Sequence, residues 1–151
     1  MRIGRWASFV LACLGVVLLA AVPAAAGTRS ASGGGVTVTM TGPSTCTRDG
    51  TIEIAIRLDS EHGGGGSYGF TYDVTLREDD VFVDDTIGRQ TVVGPVETGP
   101  WSETVTFRFE PRKHEVGRSL ELYFVVKRKV SGLPGLLTIT NRGNPLRITC
   151  R

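Results

Sequence analysis

Few residues in this chain stand where chemistry could be done. Gly65-Gly66-Ser67-Tyr68-Gly69 matches G-x-S-x-G by letter. That motif presents a nucleophilic serine only at a strained strand-to-helix turn beside a histidine. Here it sits in a glycine-rich stretch that opens a strand-like segment, so a plain loop is expected. His62 and His114 fall in polar surroundings without a metal-ligand spacing such as H-E-x-x-H. Glu78, Asp79, Asp80, Asp84 and Asp85 crowd five carboxylates into one short segment. Hard oxygen ligands so placed could hold Ca²⁺, although the EF-hand spacing is absent. Alternatively they flank and solubilise the apolar run Val81-Phe82-Val83, which as a bare edge would invite aggregation. Asp73 and Glu103 are the acids a hydrolase reading would use, and the distance between them would decide it.

Lys127-Arg128-Lys129 is a basic cluster suited to an anionic polymer or a lipid head group, or simply a solvated strand end. Tyr68, Tyr72 and Trp101 could form a stacking platform. The two tyrosines fall in an inward register, which favours a core position for them. Trp101 follows Gly99-Pro100 in what reads as a loop and is the best single candidate for an exposed contact aromatic, although large aromatics are usually mostly buried. No cofactor is implied by any of these patterns.

The elements that must position these residues are strands. Ile52, Ile54, Ile56 and Leu58 alternate with Glu53 and Arg57, the period-2 pattern of a strand with one buried face. Tyr68, Phe70, Tyr72, Val74 and Leu76 repeat the pattern, as do Val105, Phe107 and Phe109. Leu120, Leu122, Phe124 and Val126 lie in the most apolar segment, which predicts a central strand. Shorter strands are expected at 36–40, 81–83, 89–93, 137–140 and 146–150. Gly42-Pro43, Gly94-Pro95 and Gly99-Pro100 punctuate the chain as turns. No helical spacing is evident after the first 26 residues. About seven or eight short strands at this rhythm predict an all-β, antiparallel β-sandwich. A small β-barrel or jelly roll is the alternative.

Residues 1–26 read as a secretory signal peptide. Arg2 and Arg5 precede an apolar run from Trp6 to Val22, and Pro23 and Ala24-Ala25-Ala26 close it. A retained anchor is the competing reading, and Cys13 is read as a passive member of the run rather than an acylated residue. Residues 27–35, GTRSASGGG, read as a flexible leader, and 36–151 as a single domain. No second apolar stretch reaches membrane length, so no membrane span is expected after cleavage. The expected location is secreted, extracellular or periplasmic.

Export reduces the cysteines to Cys46 and Cys150, an even pair read as one disulfide in an oxidising compartment. A closed loop on the order of 100 residues corresponds to about 4–5 kcal/mol of unfolded-state entropy, an upper figure. The chain as a whole carries 17 Lys and Arg against 15 Asp and Glu, a net of +2 that gives no reason to expect nucleic acid. Removing Arg2 and Arg5 leaves zero. That zero is split: residues 49–103 hold 12 acids and 3 bases, whereas 107–151 hold 10 bases and 3 acids. Antiparallel pairing of early with late strands would let these charges cancel. Segregation would instead make the molecule a dipole.

The segments T-I-E-I-A-I-R-L (51–58) and S-L-E-L-Y-F-V-V (119–126), with the strand rhythm around them, resemble the immunoglobulin-like and fibronectin-type-III-like modules of secreted bacterial proteins. The resemblance spans Val36 to Cys150 and implies a sandwich fold. It departs from the antibody pattern, because Cys150 is terminal and Trp101 has no strand-like context. The patch 66–76 is similar to one strand of bacterial cohesins, too little to carry a dockerin-binding role. The expected function is a secreted, non-enzymatic binding or structural module whose partner is a cell-surface, polysaccharide or protein ligand. An inhibitor or carrier acting through loop 60–67 or 94–101 is the alternative, and a carboxylate hydrolase ranks below it.

Overall fold

The computed structural model describes residues 26–61, 69–80, 84–96, 99–112, 117–130 and 137–151. The described residues form strands and turns without a helix. In chain order the strands are β1 (Ala26–Gly33), β2 (Val36–Pro43), β3 (Thr45–Cys46), β4 (Ile52–Ser60) and β5 (Phe70–Glu78). They continue with β6 (Asp85–Val93), β7 (Trp101–Phe109), β8 (Ser119–Val130), β9 (Leu137–Thr140) and β10 (Leu146–Cys150). One sheet runs β1-β2-β4-β7, and the other runs β3-β10-β8-β5-β6 with β9 also on β8. All pairings are antiparallel except β3 with β10.

Alternation explains why these segments pair in this way. Val36, Val38 and Met40 on β2 and Ile52, Ile54, Ile56 and Leu58 on β4 point inward and are buried. They meet Tyr72, Val74 and Leu76 of β5 and Leu120, Leu122, Phe124 and Val126 of β8 in one core. Each strand thus loses one wet face to the opposite sheet, the arrangement of a sandwich. β8 is the centre of its sheet, as its apolar sequence predicts. Its neighbour on one side is β5, and on the other side β10 pairs with its first half and β9 with its second.

The handover from β9 to β10 leaves the Phe124 N–H without a strand partner. Asn141 fills the gap. Its Oδ1 accepts the Phe124 N–H at 2.8 Å, and its Nδ2 donates to the Asn144 carbonyl at 3.2 Å. Asn141 is buried, and both ends of its amide are engaged.

Residues 27–35 are not a leader. They form β1 and a two-residue turn, and the glycines have a different cause from flexibility. Gly34 and Gly35 sit at φ +55° and +76°, as a tight hairpin turn between Gly33 and Val36 demands. Gly27 and Gly42 are register partners under Leu146. A Cβ on Gly27 would lie 2.6 Å from Leu146 Cδ1, and one on Gly42 would lie 2.4 Å from Ile54 Cδ1. Small residues here let β1 and β2 approach the other sheet.

Both flanks of the sandwich are closed by side chains. On one, Arg29 of β1 donates through Nε to the Pro145 carbonyl at 3.1 Å. On the other, Gln90 of β6 donates through Nε2 to the Thr106 carbonyl of edge strand β7 at 2.7 Å. Such contacts occupy backbone groups that a second chain could otherwise pair with. Cys46 and Cys150 are joined by a disulfide across 104 positions, in register between β3 and β10.

Replacing Asn141 by Ala should destabilise the fold by about 1–3 kcal/mol, because the buried Phe124 amide loses its acceptor. Urea denaturation reads this directly. A loss below a few tenths of a kcal/mol would mean the gap is not bridged by Asn141.

Candidate functional site

Strand register gathers one set of strand ends at a single end of the sandwich. Val36 pairs with Ser60, Ser60 with Trp101, and Thr71 with Val93. The turn at Gly34-Gly35 and the chain ends that lead into 62–68 and 97–98 therefore lie together. Trp101 belongs to this end, but it is not the loop residue expected from Gly99-Pro100. It is the first residue of β7 and half-buried. Its indole stacks on Tyr72 of the opposite sheet, with ring centroids 5.3 Å apart and planes at 18°. The strand context was hidden because Glu103 occupies the inward register of β7, opposite Leu58, and breaks the apolar alternation.

Tyr72 is buried, as its register predicts. Burial pushes its phenol pKa up, and Arg128 partly offsets this. A groove of about 580 Å³ lies beside Trp101, lined by Arg57, Asp59, Ser60, Glu61, Pro100 and Ser102. Arg57 and Asp59 close on each other, with Nε donating to the two carboxylate oxygens at 2.9 and 3.0 Å. Glu61 has no such partner among the described residues. Val93 and Val96 are exposed large apolar side chains at the same end, at 74% and 58%. A rigid aromatic wall, exposed apolar neighbours and a few polar groups are the makings of a binding groove.

Lys127-Arg128-Lys129 is dispersed rather than clustered. Neighbouring strand residues face opposite sides. Lys129 pairs with Asp73 on the outer face. Arg128 turns to the sandwich end, with its guanidinium 4.9 Å from the Phe70 ring centre and Nη1 donating to the Gly34 carbonyl at 3.0 Å. Lys127 stands opposite Asp73 on the same outer face, and its charge adds to the larger effect of the Lys129 hydrogen bond in holding the Asp73 carboxyl below its ordinary value.

The acidic segment is gathered around arginines. Arg142 reaches Asp79 at 3.2 Å and Asp84 at 2.9 Å, and Arg112 reaches Asp85 at 2.6 Å. Tyr123 Oη donates to Asp84 Oδ2 at 2.8 Å, and the Arg77 and Arg142 guanidiniums flank the Tyr123 ring at 5.8 and 5.5 Å. Glu78 and Asp80 are likewise engaged. Among the described residues no three His, Cys, Asp or Glu side chains are grouped to hold a metal ion. Among the described residues Glu78, Asp79, Asp80, Asp84 and Asp85 are thus not gathered into the Ca²⁺ site they could have formed. Their charge is met by guanidinium groups that lie far away in the chain. Asp73 and Glu103 do not face one cleft either. Asp73 lies on the outer face of the second sheet, held by Lys129 and Thr91, and Glu103 is on β7 of the first.

Ser67, Tyr68, His62, His114, the run 81–83 and the segment 1–25 lie outside the described residues. Among the described residues no helix is long and apolar enough to cross a membrane.

No protein-family model matches the chain, and no curated protein matches it. Solved structures that match include a β-glucosidase from Listeria innocua in complex with gluconolactone, at 10% identity and a TM-score of 0.32. That match covers 84% of this chain and 16% of the enzyme, and it carries no argument about activity.

The Tyr123 hydrogen bond holds the Asp84 carboxyl below its ordinary value of 3.8. A carboxylate depressed in the fold contributes stability above pH 3.8, and that contribution fades as pH falls toward the lowered value. Tyr123→Phe should bring the Asp84 pKa back up and weaken this acid dependence. Carboxyl-detected NMR titration reads it, and an unmoved Asp84 pKa in the variant would contradict the assignment.

Proposed function

We propose that the chain is a secreted, non-enzymatic, disulfide-linked β-sandwich module that acts by binding a ligand at its Trp101 end. The observation that carries this reading is the Trp101–Tyr72 stack beside an open groove. The stack spends no further rotamer freedom when a ligand arrives, because both rings are already fixed. The groove draws its walls from strand ends that lead into 62–68 and 97–98. An inhibitor or carrier acting through those connections would use the same surface.

Two further readings belong to this proposal. Export is supported by the three-part pattern of residues 2–26 together with the disulfide. Kinship with immunoglobulin-like modules is supported by strand order: β2, β4 and β7 lie opposite β5, β8 and β10. That division corresponds to strands A, B and E against C, F and G of such domains. The absence of catalysis is supported by the acids themselves, several of which are held in outward-facing pairs with arginine or lysine.

Pull-down on cell walls, soluble polysaccharides and secreted proteins tests the reading, with wild type and Trp101→Ala run side by side. The expected result is a ligand retained by wild type and lost by the variant, with circular dichroism unchanged. A ligand held equally by Trp101→Ala would place binding elsewhere.

A further inference from the structure

The Trp101 groove has a neighbour. A second cavity, of about 310 Å³, is lined by Ser32, Gly35, Val36, Thr37, Asp59 and Glu61. Asp59 and Glu61 line both cavities, so the two meet along that wall. Strand register shows what the pair spans. Val36, Ser60 and Trp101 form one cross-strand row, and Ser32, Thr37, Asp59 and Ser102 form the next. Every member of these two rows lines one cavity or the other. The combined groove therefore crosses β1, β2, β4 and β7 at one end, over three strand spacings or about 14 Å.

Ser60 is the informative member. It holds the last inward position of β4, after the apolar Ile52, Ile54, Ile56 and Leu58. It is 8% exposed, yet its hydroxyl bonds to no described residue. Burial of a hydroxyl without a partner is unfavourable, and here that residue borders the groove. The polar groups around it are arranged in advance. Arg57 grips Asp59 through both carboxylate oxygens, which fixes the carboxylate plane and leaves lone pairs to accept more. The Ser32 and Thr37 hydroxyls bond each other at 2.9 Å, which leaves one of their protons to donate. Pro100 and Trp101 supply the apolar wall.

These groups select a class of ligand. An extended peptide seeks a free sheet edge for its backbone. Here the groove crosses strands whose backbones already pair with one another. An anionic chain needs an uncommitted cation. Arg57 is the one base among the described lining residues, and Asp59 holds it. What remains is hydroxyls that both donate and accept, a carboxylate acceptor, and a ring against which C–H groups can pack. Sugar hydroxyls and sugar ring faces complement all three. We infer that the two cavities form one groove for a neutral oligosaccharide, with one sugar against Trp101 and Ser60 and the chain continuing past Asp59 to Thr37 and Ser32. The inference rests on the Trp101 end being the binding end.

The test titrates the oxidised protein with cellohexaose, laminarihexaose, mannohexaose, xylohexaose and N-acetylated chitohexaose, each beside its disaccharide, followed by amide NMR. At least one hexasaccharide should bind saturably, with shifts at Ser32, Thr37, Ser60 and Trp101, and about tenfold more tightly than its disaccharide. Thr37→Val should weaken the hexasaccharide by about threefold or more and leave the disaccharide unchanged. Ser60→Ala should weaken both by about threefold or more without lowering the unfolding midpoint, because the hydroxyl it removes has no protein partner. Thr106→Val, on the same outer face but two rows away, should leave binding unaltered. If Trp101→Ala does not fold, Ser60→Ala supplies the readout. Silence from the whole panel, or binding that neither Ser60→Ala nor Thr37→Val weakens, would overturn the inference. A protein or charged ligand captured through Trp101 while the panel stays silent would overturn the sugar assignment alone. The lack of any Trp101-dependent ligand would overturn the reading beneath it as well.

Discussion

The fold depends on the burial of one apolar stripe per strand between two sheets. Ile52, Ile54, Ile56 and Leu58 on β4 have no other place to go than onto Leu120, Leu122, Phe124 and Val126 of β8 and their neighbours. This contact is nondirectional, and at about 25 cal/mol per Å² it dominates the favourable side of folding. Everything directional is arranged around it. Asn141 repairs the one interruption in the ladder along β8. Gly27 and Gly42 give way to Leu146 so that the stripe can close over β10.

The charges follow the same topology. Arg108 on Glu53, Arg112 on Asp85, Lys129 on Asp73 and Arg142 on Asp79 and Asp84 each join a base from the later half to an acid from the earlier half. Five acids of the earlier half are thus met by bases of the later half, so the split in sequence is partly cancelled in space. Exposed pairs of this kind contribute little each, about 0–1 kcal/mol. Their importance lies in register and in what they occupy. Asp73, Asp79, Asp84 and Asp85, which could have served a metal or a substrate, are already engaged.

Period-2 strands were readable directly from the sequence, because a single buried face writes itself into every second residue. The disulfide was readable from the even pair of cysteines that remains once residues 1–26 are read as a signal. What failed to read correctly failed for physical reasons. The glycines of 27–35 signal flexibility by composition, but two adjacent glycines between alternating segments are also the mark of a tight hairpin, and that signal was the informative one. Trp101 reads as a loop residue because Gly99-Pro100 precedes it, and Glu103 interrupts the apolar alternation that would join it to Val105. Lys127-Arg128-Lys129 reads as one patch only in one dimension, since alternation turns Arg128 away from Lys127 and Lys129. The Trp101–Tyr72 stack was not legible either, because it joins two sheets whose relative register no local pattern specifies.

The central functional claim is that the Trp101 end binds without turning its ligand over. The most direct test uses the Trp6→Phe chain, in which Trp101 is the sole tryptophan reporter. Emission is followed during titration with a ligand retained in the pull-down, and the ligand is then recovered and analysed by mass spectrometry. The account predicts a saturable change in Trp101 emission and a ligand recovered chemically intact. A ligand recovered cleaved or modified in proportion to time and protein would contradict it.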